Sequence, residues 1–154
     1  MSTKGTIVKD LIAHLNLIDG SLHEVAGCPF SPYQYKNNLF GNATDQFMFL
    51  ENINDFPTVS FFQSSAESRH PQGTGEVYGT ATFLARCYFM ASENEEQADD
   101  FIEDLQYSIN SFKYTQTNSD LVDLRIQAVS SDEKMLDPYG IVEVSLVLVY
   151  RLTI

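Results

Sequence analysis

Seven apolar side chains at every second position, Val142, Val144, Leu146, Leu148, Tyr150, Leu152 and Ile154, constrain this chain more than any other feature. A period of two puts all of them on one face of an extended strand about 40 Å long, and such a face is stable only when a sheet buries it. The opposite face mixes Glu143, Ser145 and Arg151 with Val147 and Val149, a pattern that predicts partial burial there too. A second stretch with the same period runs from Val77 to Met90. Tyr78, Thr80, Thr82, Leu84, Arg86 and Tyr88 share one side; Gly79, Ala81, Phe83, Ala85, Cys87 and Phe89 share the other, where the small residues predict a close neighbour. Phe56 to Gln63, entered through Pro57, and Val122 to Ala128 read as two further strands.

Two helices complete the set. Ile7, Val8, Leu11, Ile12, Leu15 and Ile18 have the spacing of an amphipathic helix stopped at Asp19 and Gly20, with His14 on its polar side. Ser92 and Glu95 form a capping box that opens a second helix, whose apolar stripe is Ala98, Phe101, Ile102, Leu105 and Ile109. The order helix, two strands, helix, two strands predicts an α+β fold, about four antiparallel or mixed strands packed with two α-helices. At 154 residues and 44% apolar content, residues 1–154 form one domain with one core, which should fold without a cofactor or metal. Gly20 to Asp55, rich in Gly, Pro, Asn and aromatic residues, should wrap the surface in short extended pieces. Ser64 to Glu76 should protrude as a mobile loop, and Ser130 to Gly140 should turn the chain into the last strand.

Most chemistry is excluded by spacing. Gly73 and Gly75 lack the third glycine, the lysine and the following helix that a phosphate loop needs. His14, His23 and His70 are scattered without a zinc-binding pattern, and no Gly-x-Ser-x-Gly elbow occurs. The carboxylates between Glu93 and Asp104 spread around a helix, so they read as a solvated face favoured by the helix dipole. Cys28 and Cys87 read as buried thiols of a chain made in a reducing compartment. A net charge of −12 argues against free DNA binding, and no run of apolar residues is long enough for a signal peptide or a membrane span. Nothing in these patterns calls for an enzyme.

Three segments carry a family resemblance: Tyr35 to Asn42, with Asn37, Asn38, Leu39, Phe40, Gly41 and Asn42; Phe56 to Val59; and Ser130 to Tyr150, with Pro138, Tyr139 and Gly140. In this order they resemble the tail terminators of T-five-like siphophages. The resemblance implies a virion protein at the head-proximal end of the tail, assembled in the host cytoplasm. Six copies would form a ring that caps the tail tube, stops its polymerisation and offers a surface to neck or head-completion proteins, with DNA passing through and no specific binding to it. Six copies at −12 each carry −72 in all, and an acidic wall would repel DNA phosphates if the acids face the channel. Arg69, His70 and Gln72, in the polar loop, are the candidate partner contacts, the one basic spot on an acidic subunit. A neck or head-completion adaptor would share the small α+β look and differ in binding the portal side. A small host-directed enzyme or inhibitor would be a monomer with a turnover or a target.

Overall fold

The computed structural model describes residues 2–71, 75–90, 97–116, 120–132 and 138–153. Helix α1 spans Thr3–Leu15 and helix α2 Gln97–Thr115. The strands are β1 Leu22–His23, β2 Tyr33–Gln34, β3 Ala43–Thr44, β4 Thr58–Gln63, β5 Ser68–Pro71, β6 Glu76–Met90, β7 Leu121–Ser131 and β8 Tyr139–Thr153. Strands β1 and β2 pair with each other. The other six form one mixed sheet in the order β3-β4-β6-β8-β7, with β5 also beside β6; only the β3–β4 pair is parallel.

The two period-two segments are the centre of this sheet. β6 and β8 pair in one unbroken antiparallel register from Glu76 with Thr153 to Met90 with Tyr139. Val142, Val144, Leu146, Leu148 and Tyr150 are fully buried, and each removes roughly 1.5–3 kcal/mol of apolar surface from water. The close neighbour predicted from the small residues of β6 is Tyr150, whose ring lies so tightly over Gly79 that a Cβ there would meet it at 2.3 Å. Gly140 receives Phe89 in the same manner. Both helices pack on this face, α1 through Ile7, Leu11 and Leu15, α2 through Phe101, Leu105, Ile109 and Phe112. Ser2 caps α1 by accepting the Gly5 amide at 3.0 Å. The capping box at Ser92 and Glu95 lies outside the described residues.

The α+β class holds, and the sheet has six strands where about four were expected. The two additional strands are short. β3 lies at the edge, and β5 occupies the middle of the segment expected to be a free loop. The reason is a length mismatch: β4 has six residues and β6 fifteen, so β4 leaves half of β6 unpaired. After an interruption at residues 64–67 the chain returns to β6, with Ser68 opposite Thr80 and Pro71 opposite Val77. The Ser64 amide still donates to the Thr82 carbonyl at 2.9 Å, so the interruption behaves as a bulge within one long hairpin arm. The last turn is also shorter than expected, since β7 continues to Ser131 and β8 begins at Tyr139.

Two polar residues sit where the sequence pattern did not place them. His14 is buried, 6% exposed, because it continues the stripe of Ile7 and Leu11 toward α2. Asp104 is fully buried, while Asp99, Asp100 and Glu103 stay on the wet side of α2. Among the described residues no helix is long and apolar enough to cross a membrane.

Candidate functional site

β6 extends roughly 45 Å end to end, so the subunit has two distant poles. The segments that carry the family resemblance converge on the pole where β6 ends and β8 begins. Asn42 Nδ2 donates to the Pro57 carbonyl at 3.2 Å, tying the first segment to the second. Phe56 stacks on Tyr139, with ring centroids 5.5 Å apart, tying the second to the third. Gly140 lies under Phe89, which stacks in turn on Phe101 of α2 at 4.6 Å. Pro138 is exposed just before β8.

The first segment owes its shape to Asp104. Its Oδ1 accepts the Tyr33 hydroxyl at 2.8 Å and the Lys36 amide at 3.1 Å, and its Oδ2 accepts the Asn37 amide and side-chain amide, both at 2.9 Å. Burial raises the carboxyl above its ordinary pKa, and these four donors pull it back. Lys36 also pairs with Glu103 and, at 3.6 Å, Asp100. Beyond this anchor Leu39 turns into the core, and its amide reaches the Ile18 carbonyl at 2.9 Å.

Phe40 points the other way. It is 70% exposed and has φ of +52°, followed by Gly41 at +76°, and the Asn42 amide closes the turn on the Leu39 carbonyl at 2.9 Å. Two successive residues with positive φ make a type I′ turn, where Asn or Gly is favoured and an aromatic residue costs about 1 kcal/mol or more. The Asn38 side chain supports the strained residue by accepting its amide at 2.8 Å. Phe47, Phe49 and Met90 are also exposed at this pole. Phe47 packs edge-on against Phe49 and Phe62, and the Arg86 guanidinium, held by Glu143 at 2.7 Å, lies over Phe47 and Phe62. Phe49, Leu50, Glu51, Ile53, Phe56 and Tyr139 line an open groove of about 500 Å³ beside them. An exposed aromatic cluster of this extent on a small domain marks an interaction surface.

The other candidate contacts lie at the opposite pole. Arg69 and His70 are exposed on β5, and Gln72 lies outside the described residues. Arg69 is not a free positive spot, because its Nε bonds to Glu67 at 2.5 Å and Glu67 also takes Lys4 at 2.6 Å. Burial alone would raise the Glu67 carboxyl; the hydrogen bonds from Lys4 and Arg69 prevail and hold it down at about 2. This cluster fastens the start of α1 to the bulge before β5.

Cys87 is fully buried and its thiol is pushed far up by desolvation, the opposite of what a nucleophile needs. Among the described residues no three potential metal ligands come together.

Comparisons with known proteins identify the family. The family described as bacteriophage tail tube terminator protein matches residues 23–153. The tail tube terminator protein p142 of Escherichia phage T5 is 25% identical over 131 residues, covering 78% of this chain and 81% of that protein. The match spans the motif segments, both central strands and α2, and the chain belongs to the bacteriophage tail tube terminator family, whose members are structural proteins and not enzymes.

Proposed function

We propose that this chain is the subunit of a six-membered ring in the phage virion that seats on the head-proximal end of the tail tube, stops its polymerisation and presents a surface to the neck or head-completion proteins. The observation that carries this reading is the strained, exposed Phe40 at the pole where the three motif segments converge, in a chain of the tail tube terminator family. A folded subunit keeps an unfavourable aromatic residue in a tight turn when that residue is used elsewhere. A closed ring needs heterologous contacts, one patch of each copy on a different patch of the next, and a subunit with both an exposed knob at Phe40 and an open groove lined by Phe49, Phe56 and Tyr139 suits such contacts. The second pole, with β5 and its neighbours, is then free to meet a different partner.

The test is Phe40→Asn in a phage lacking the parent copy. Asn accepts positive φ, so the purified subunit should melt at the same temperature or a few degrees higher, by about 2–4 °C for each kcal/mol of relieved strain. Tails should nevertheless be of uncontrolled length or fail to join heads. Normal infectious particles from this variant would remove Phe40 from assembly. Native mass spectrometry of complexes released from parent tails tests the stoichiometry, and a single copy per tail would end the ring.

A further inference from the structure

The segment from Asp19 to Asn38, closed at its base by the bridge between those two residues, crosses both helices as a strap. Polar and aromatic contacts hold it there. Tyr33 stacks on Tyr107 at 4.5 Å, Ser31 Oγ bonds to the Tyr107 hydroxyl at 2.7 Å, and Asp104 gathers Tyr33, Lys36 and Asn37. Within the strap, His23 of β1 meets His14 of α1 edge-on, with ring centroids 5.8 Å apart. From α2, Tyr107, Ser108, Ser111 and Phe112 face this pair: His14 Nε2 bonds to Ser111 Oγ at 3.0 Å, its carbonyl accepts Ser108 Oγ at 3.5 Å, and its ring lies 5.6 Å from Phe112. From the strap, Tyr35 lies 5.5 Å from His23, and Asp19 stands within electrostatic reach of that ring. Among the described residues no carboxylate hydrogen-bonds to either imidazole, so a proton on both would place two like charges together with little to compensate them.

We propose that the His14–His23 pair is an acid-opened latch: neutral, it lets the strap lie clamped over the two helices; protonated, it releases the strap while the sheet stays folded. Burial first, and His23 second, hold the His14 ring at about 4. A lowered folded value means that protons bind the open form better, so closure is complete above about pH 6.5 and is lost as pH falls toward 4. Asp104 works in the opposite sense, since burial raises its carboxyl and protonating it does not favour opening, so the acid response belongs to His14. Opening would uncover Tyr107 and Asp104 and free Leu22 and Phe30, both already exposed on the strap.

Hydrogen–deuterium exchange of the whole protein at pH 7.0 and 4.5, corrected for the intrinsic rate, tests the latch on parent, His14→Gln and His23→Gln. The opening equilibrium of residues 19–38 should rise roughly 10- to 100-fold at the lower pH in the parent, while β6 and β8 keep their protection. In His14→Gln the rise should shrink to less than about threefold, because the buried ring is gone; in His23→Gln it should fall clearly below the parent's but persist, because the burial of His14 remains. Should His14→Gln fail to fold, His23→Gln, at the half-buried member, carries the comparison alone. Equal strap protection at the two pH values, loss of protection shared by β6 and β8, or a parent-like rise in the variants would each overturn the proposal.

Discussion

Replacing Asp104 tests whether one buried carboxylate organises the motif segment. Asp104→Ala strands four donors, the Tyr33 hydroxyl, the Lys36 and Asn37 amides and the Asn37 side-chain amide. A buried donor left without a partner costs about 1–3 kcal/mol, but relaxation and water entry recover part, and removing a poorly solvated carboxylate returns more. A net loss of about 3–5 kcal/mol follows, or a melting temperature lowered by about 6–20 °C in a chain of this size. Asp104→Asn is the sharper probe. It keeps the shape and one acceptor, but its amide group faces a donor it cannot serve. The Asn37 side chain can turn its oxygen inward to meet it, whereas a backbone N–H cannot turn, so the loss falls to about 1–3 kcal/mol. Thermal and urea denaturation of the three proteins at pH 7 measure both values. If Asp104→Asn were as stable as the parent, the second carboxylate oxygen would not be needed as an acceptor. If Asp104→Ala were equally harmless, the motif segment would be held by its apolar anchors alone.

Two further outcomes follow from the sheet. Gly79→Ala should cost about 1–3 kcal/mol, because its Cβ would meet the Tyr150 ring at 2.3 Å, and Tyr150→Leu in the same chain should recover part of the loss in a urea titration. Glu67→Gln should cost about 1–2 kcal/mol at pH 7, reduced from the full linkage value because Arg69 and Lys4 are partly in water. The Glu67 carboxyl is held at about 2, so its contribution is present above about pH 4.5 and is lost as pH falls to 2; urea midpoints of parent and variant should converge there.

The elements legible in the sequence are those whose burial has a period. β6 and β8 each bury a full face over fifteen residues, and no other structure accommodates that alternation. β5 was illegible because all four of its residues are exposed, and its existence depends on the length of β6, a property of another segment. His14 and Asp104 carried a signal that composition obscured. His14 stands three residues after Leu11, and Asp104 stands between Phe101 and Leu105, so both fall inside an apolar stripe. A charged or titratable residue in such a stripe predicts a buried partner, and here the partners are distant in sequence, Ser111 of α2 for His14 and the segment from Tyr33 to Asn37 for Asp104. The motif segments were visible as a resemblance, but their meeting at one pole was not. It depends on Asn42 reaching Pro57 and on Phe56 reaching Tyr139, contacts that no local pattern encodes.

The acidity of the chain takes on a different meaning once the charges are placed. The sheet face away from the helices carries Arg86, Arg125 and Arg151 against Glu76, Asp123 and Glu143 among the described residues, in balance. The surplus of carboxylates lies elsewhere: Asp10, Asp19, Glu24, Asp99, Asp100 and Glu103 on the helices and strap, and Asp45, Glu51 and Asp55 in the loop before β4. At physiological salt a charge acts over about 8 Å, so in the proposed ring DNA would respond to the nearest face and not to the −72 of six copies. An open sheet face turned inward would present a nearly neutral wall, and the helical face an acidic one. In either orientation the carboxylates remain on the subunit's surface before it assembles. There they oppose self-association of a chain that exposes Phe40 and the Phe47–Phe49 pair, which gives the charge a role independent of DNA.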